Sequence, residues 1–280
     1  MKLLRYGPVG AELPGVLDSQ GHVRALRPIV RDIDADVLSS DGIRFLQALD
    51  LEKLPLVRQV TRLGCPVATV REIIAVGLNY RDHAQEAELP IPAEPLIFHK
   101  SASSISGPDD DIVLPSGSQK TDWEIEFGIV IGTTARKISK EEAHAFIAGY
   151  VLLNDVSERE WQLERGGQFG KGKSFDTFTP IGPWLVTCDE LVPQNIELLL
   201  SVNGTSKQHG NTSNLIFGVD EVVSHISQFM TLKPGDLIAT GTPAGVGGGA
   251  RPPRFLRAGD IVEMSATGLG SQRHKVTSGA

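Results

Sequence analysis

The chain has 280 residues (30.1 kDa), of which 40% are hydrophobic and 22% charged, a composition that reads as soluble and globular and argues against disorder. A net charge of −7 disfavours nucleic acid and anionic membrane as partners, and 6% aromatics are too few to stack a single-stranded nucleic acid. The 30 glycines and 17 prolines exclude a helical bundle, and two cysteines, Cys65 and Cys188, exclude a disulfide scaffold and a cysteine zinc site, so a reducing, cytoplasmic compartment is expected.

In chain order, residues 1–70 read as a small accessory unit. Its first residues, Met1 to Pro8, lack an apolar stretch of signal-peptide length. Short apolar runs at 3–6, 14–17 and 23–29 sit between Gly, Pro and Asp-Ser punctuation, which is hairpin chemistry. Residues 34–50 read as helix and 62–66 as linker, so the division is set near residue 70, with 71–280 as the larger, catalytic unit. There, 73–78, 95–100, 122–132 and 151–153 read as strands. Two capping boxes predict helices. Ser139 to Glu142 precedes Ala143, Phe146, Ile147 and Tyr150 at helical spacing, and Ser157 to Glu160 opens a helix to about Arg165. Residues 219–230 are amphipathic, with Val222, Ile226 and Phe229 on one face, and 247–253 form a Gly/Pro loop. The expected class is α+β, dominated by strands.

Within 122–131, Trp123, Ile125, Phe127, Ile129 and Ile131 share one face and Asp122, Glu124 and Glu126 the other. Neighbouring like charges repel unless a positive group sits between them, and a hard divalent cation suits oxygen ligands. Mg²⁺, Mn²⁺ and Ca²⁺ all qualify; acids on a solvated sheet face are the competing explanation. Asp155 closes the apolar run 150–154, just before a predicted helix. Arg159 and Gln162 follow three apart, hence on one side of that helix. Arginine suits bidentate carboxylate recognition, although Asp155 could equally cap the helix with Arg159 at the surface. His83 and Glu86 are also three apart, and a carboxylate so placed can orient an imidazole as general base. Gly167 to Ser174 matches G-x-x-x-x-G-K-[ST] letter for letter, but a helix-like segment precedes it and nothing helical can follow, so no nucleotide is expected.

Taken together, Gly77-Leu-Asn-Tyr-Arg-Asp-His83-Ala-Gln-Glu86, Phe98-His-Lys100, Asp122-Trp-Glu124-Ile-Glu126, Asn154-Asp155 through Arg159 and Gln162, Lys173 through Pro183, and Gly241-Thr242-Pro243 resemble the fumarylacetoacetate hydrolase family in order and spacing, in particular its shorter acylpyruvate and sugar-acid hydrolases. The resemblance covers about residue 72 to the C-terminus. It implies a mixed β-roll or β-sandwich core with flanking helices, a homodimer, and Mg²⁺ or Mn²⁺ held by Glu124, Glu126 and Asp155. The founding members add a fourth acid upstream of the histidine; here Val76 and its neighbours are apolar, which implies a three-carboxylate site. The substrate implied is a 2,4-dioxo acid that chelates the cation. His83, oriented by Glu86, activates a water that attacks the distal carbonyl. Lys173 and the cation stabilise the pyruvate enolate, and Arg159, Gln162, Lys100 and Thr242 bind the remainder, a polar set that points to a sugar acid or an acylpyruvate. Oxaloacetate decarboxylation, dienedioate isomerisation and ureidoglycolate lysis use the same kind of site. A catalytically idle carboxylate-binding homologue is the alternative of another class, against which intact His83 and Glu86 argue.

Overall fold

The structure, a computed structural model, describes residues 1–279. Among them, strands dominate and helices are short, giving the expected mixed α+β fold. Ten strands make one sheet, and its central pair is Ile125–Ile131 against Ile147–Asn154, antiparallel, with Ile125 opposite Asn154 and Glu126 opposite Leu153. On the far side of Ile125–Ile131 lie Leu237–Ala239, then Ile73–Gly77, then the edge strand Leu96–Lys100. On the other flank, Leu185–Thr187 joins Ile147–Asn154 to Lys2–Tyr6 and onward to Leu13–Leu17 and Val23–Ala25. The first 70 residues therefore extend the central sheet. Leu3, Val16 and Leu26 pack in one cluster with Val130, Ala148 and Leu185.

A second sheet of five strands runs Thr205–Asn211, Glu197–Val202, Ile261–Ala266, Gly270–Ser278 and Ile112–Leu114. The apolar face of residues 123–131 packs against it: Trp123, Ile125, Phe127, Ile129 and Ile131 share a core with Leu198, Leu200, Val262 and Met264. The helix Val219–Phe229 closes the same core through Val222, Val223 and Ile226. Ile125–Ile131 is thus covered on both faces, which is why every one of its residues is buried.

Several expected boundaries change. The 122–132 strand is two pieces, Thr121–Asp122 paired with Ser157–Glu158, and Ile125–Ile131. The helix expected after Ser139 is only a 3-10 turn at Ala143–Phe146, because Ile147 and Tyr150 belong to the long strand. The back half of the capping box does form, Ser139 N donating to Glu142 Oε2 at 2.9 Å. Ser157 starts no helix either. Its hydroxyl donates to Asp155 O, and the helical turn is the π-helical Glu160–Glu164, where Glu158 Oε2 accepts from Trp161 N at 2.9 Å. The helix at 34–50 is split by an extended Ser39 into Ala35–Leu38 and Ser40–Gln47. No helix among the described residues is long and apolar enough to cross a membrane.

Candidate active site

Glu124 and Asp155 stand at the adjoining ends of the two central strands, where the register sets them side by side: Asp155 N donates to Glu124 O at 2.8 Å, and Glu124 N donates to Asn154 Oδ1 at 3.1 Å. Glu126, two residues along, shares Glu124's face. The carboxylates of Glu124, Glu126 and Asp155 are 5%, 2% and 1% exposed and present oxygens that lie within 4.8 Å of one another. A solvated acidic face is thereby excluded. Asp122, fully buried as well, is not part of the trio. It lies in the separate short strand and binds backbone instead: Oδ1 accepts from Gly247 N at 2.7 Å, and Oδ2 from Gly248 N at 2.8 Å and from Arg159 Nε at 2.8 Å.

Two buried lysines partly balance these acids. Lys173 ends the short helix Phe169–Lys173 and donates to Glu124 Oε2 at 2.7 Å and Asp155 Oδ2 at 2.6 Å. The helix reaches that depth because Gly172 has no side chain: a Cβ there would meet Glu158 O at 2.5 Å and Gln162 N at 2.6 Å. Lys173 closes the stretch that matches the phosphate-loop pattern, and its ammonium is already engaged by carboxylates. A π-helical turn and Gly166 at positive φ, not a strand, precede that stretch, whose first residue, Gly167, is at positive φ as well. Lys100, expected among the substrate-binding residues, lies behind Asp155, to whose Oδ1 it donates, and is also bonded to Phe178 O at 2.8 Å. It does not line the cavity.

The electrostatics follow from this packing. Burial alone would raise the Glu124 carboxyl; Lys173, then Arg159 and His83, outweigh it and hold it down to about 2. Glu126 goes the other way. Burial first, then the charges of Asp155 and Glu124, push it well above the carboxylate range, against the charge of Lys173 and a backbone bond from Gly241 N at 2.8 Å. Burial lowers Lys100, whereas Lys173 stays raised because Asp155 and Glu124 outweigh its burial. Gly241 sits at φ +101, and a Cβ there would strike Asn79 Cβ at 2.9 Å, so the bond to Glu126 depends on glycine.

Above the acids is a cavity of about 650 Å³ lined by His83, Glu86, Arg159, Gln162, Lys173 and Thr242 among others. Val76, near the point where the sequence lacks a fourth acid, lines it with a methyl-bearing wall. His83 and Glu86 lie on the short helix Arg81–Glu86, and His83 Nδ1 is 3.0 Å from Glu86 Oε2. The other Glu86 oxygen accepts from Gly245 N at 2.8 Å. Arg159 is bound to Glu124 Oε1 at 2.7 Å and donates to Gln162 Oε1 at 2.9 Å, so the predicted shared side is real although the turn is π-helical. Thr242 Oγ1 donates to Ile125 O at 2.9 Å and accepts from Gln208 Nε2 at 2.8 Å.

Three supporting residues escaped the sequence reading in these roles. Asp122 was visible as an acid on the right face, but its glycine partners lie 125 residues away. Asn79 directs Nδ2 to Thr240 O at 2.8 Å and accepts from Phe217 N at 2.8 Å, tying the entry of the His83 helix to the core. Gln208 accepts from Ile125 N at 2.9 Å from the second sheet. Asn79 lies inside the family-like segment 77–86, which assigns it no role, and no local pattern marks Gln208.

A family model described as fumarylacetoacetate (FAA) hydrolase C-terminal matches residues 72–277. A Burkholderia lata protein assigned only as a hydrolase is 53% identical over 274 residues, 97% of each chain. Fumarylacetoacetate hydrolase from the psychrophile Exiguobacterium antarcticum superposes with a TM-score of 0.89 at 36% identity, covering 100% of both chains. Maleylpyruvate hydrolase from a Sphingobium strain, solved with manganese(II) and pyruvate, superposes with a TM-score of 0.83 at 28% identity, again over 100% of both chains.

Proposed function

The chain belongs to the fumarylacetoacetate hydrolase family, and from that premise we propose that it is a divalent-cation-dependent hydrolase that cleaves a C–C bond of a 2,4-dioxo acid and releases pyruvate or a related 2-oxo acid. The observation that carries this reading is the juxtaposition, in one cavity, of three buried carboxylates with a carboxylate-oriented histidine.

The donor set fits a hard cation. Its ligand atoms are all carboxylate oxygens, and two lysines with Arg159, which is shared with Asp122, do not neutralise four acids, leaving Glu126 without an ion-pair partner among the described residues. Glu124, Glu126 and Asp155 would hold Mg²⁺ or Mn²⁺, the ion named with the Sphingobium relative. When bound, the cation polarises the substrate's 2-oxo group and draws off the negative charge that C–C cleavage leaves on it.

The protein's own groups supply the rest. Glu86 accepts at Nδ1, so His83 carries its proton there and leaves Nε2 as the basic nitrogen. Nε2 takes a proton from a water whose oxygen bonds to the distal carbonyl carbon. The C–C bond then breaks, with its electron pair forming the pyruvate enolate, and the imidazolium is the nearby acid that returns the proton. Lys173, fixed between Glu124 and Asp155, keeps a positive charge beside the developing enolate. Acetylpyruvate and its homologues, assayed with Mg²⁺ or Mn²⁺ and scored by pyruvate release, test this. Absence of pyruvate from every dioxo acid with either metal sinks it.

The same reading includes a homodimer, a cytoplasmic location, no nucleic-acid, membrane or nucleotide partner, and residues 1–70 as an accessory unit to 71–280. The net charge of −7 and the engaged Lys173 support the absence of polyanionic partners. Light scattering checks the dimer, and calorimetry with ATP, expected to be silent, checks the last partner class.

A further inference from the structure

We propose that the acyl tail of the substrate is apolar and uncharged, an alkyl or aryl group rather than a hydroxylated sugar-acid chain or a second carboxylate. This rests on the reading of the cavity as a 2,4-dioxo-acid site and specifies what occupies its outer half.

The cavity has a polar floor and an apolar upper wall. At the floor, Glu124, Glu126, Asp155 and Lys173 are each no more than 5% exposed. Above it the less buried lining residues include Leu78, Leu89, Leu163, Phe169 and Phe255, beside the charged Lys120, Glu164 and Arg251. Leu89 follows the His83 helix and Leu163 lies on the π-helical turn; they are 50% and 55% exposed, so the two sides of the mouth each present a leucine to water. An apolar tail would cover both.

The polar groups near the tail are already committed. At the mouth each of these cations stands beside an acid, Lys120 by Glu164 and Arg251 by Glu88, both pairs largely exposed, so a second carboxylate would meet an acid next to either one. A carboxylate held there would lose water without a compensating charge. Arg159 is drawn to Asp122, Glu124 and Gln162, with its Nη2 held in the ion pair with Asp122 but making no hydrogen bond, and the Thr242 hydroxyl spends its single proton on Ile125 O while accepting from Gln208. The Gln162 amide nitrogen makes no bond among the described residues, and one of its two N–H donors matches one distal carbonyl oxygen. A chain bearing several hydroxyls would bury more polar groups than the site can satisfy.

Binding of simple 2-oxo acids to the Mn²⁺-loaded protein, read by calorimetry, tests the tail separately from turnover. Along pyruvate, 2-oxobutanoate, 2-oxohexanoate and 2-oxooctanoate, affinity should rise about two- to fourfold per methylene, and 2-oxoadipate should bind at least about tenfold more weakly than 2-oxohexanoate. Leu89→Ser and Leu163→Ser should each lower the ratio of 2-oxooctanoate to pyruvate affinity several-fold. A flat series, or tighter binding of 2-oxoadipate, overturns the proposal. Faster pyruvate release from a hydroxylated or dioic dioxo acid than from hexanoylpyruvate overturns it too, while leaving C–C hydrolysis standing. A rising series without pyruvate release from any acylpyruvate supports the apolar tail and removes the hydrolase reading.

Discussion

Glu86 Oε2 holds His83 Nδ1 at 3.0 Å, so substitutions at the two positions are expected to be non-additive. His83→Ala removes the base and should lower kcat by about 10²–10⁴. Glu86→Ala should cost as much or less, and the double variant little more than His83→Ala, because the orienting group then has nothing to orient. Mn²⁺ binding by calorimetry should survive in all three. Full activity of His83→Ala would remove the attacking water from the mechanism and favour decarboxylation or tautomerisation on the same cavity. Lys100 shows what residue identity alone does not disclose. Its sequence neighbourhood suggested a substrate contact, yet its ammonium is sealed behind Asp155. Lys100→Met would leave one buried carboxylate oxygen without its cation, and the urea midpoint should fall by the equivalent of about 3 kcal/mol or more. An unchanged midpoint with a raised KM would return Lys100 to the substrate.

At the scale of elements, Arg62 ties the N-terminal segment to the rest. Its Nε and Nη2 reach Asp110 at 2.7 and 2.6 Å, and Nη1 reaches Glu12 at 3.0 Å. Burial opposes ionisation of Asp110, but Arg62 and the Gly107 N–H outweigh it, so its folded pKa lies below the ordinary value. For a depressed carboxyl the stabilisation is complete above the unfolded pKa, about 4, and is lost as pH falls through the folded value. Asp110→Asn should therefore cost about 1 kcal/mol at pH 7, this pair being partly solvated. The gap from the parent protein should begin to narrow below about pH 4 and close as pH falls through the lower folded value of Asp110; a gap of the same size at every pH contradicts the assignment.

Legibility also divides by element. The alternation over 123–131 named the core face correctly because a half-apolar strand has only one such pattern. Residues 143–150 deceived because apolar positions at 143, 146, 147 and 150 suit a helix as well as a fully buried strand, and the strand in fact runs on from Ile147 through the apolar Val151, Leu152 and Leu153. The convergence of the three acids was legible through the acidic pattern and the family resemblance. Asn79 and Gln208 were not, since their partners come from distant chain and only folding brings them together.

For the whole molecule, three carboxylates and two ammonium groups confined in one interior make stability depend on ligation. A cation that binds only the folded state at about 100 times its Kd adds about 2.7 kcal/mol. For a chain of this size that corresponds to a Tm rise of about 5–10 °C. Mn²⁺ should produce it, EDTA should reverse it and abolish activity, and Glu126→Gln should weaken both effects. An identical melt with and without Mn²⁺, together with full activity in EDTA, would rule out the cation.

Glu86 has two oxygens and two separate clients, the His83 imidazole and the Gly245 amide. The second lies in the loop whose next turn is held by Asp122. One carboxylate therefore ties the two together: a shift of the glycine loop would leave Glu86 a single anchor and free it to rotate, and the orientation of the His83 imidazole would loosen with it.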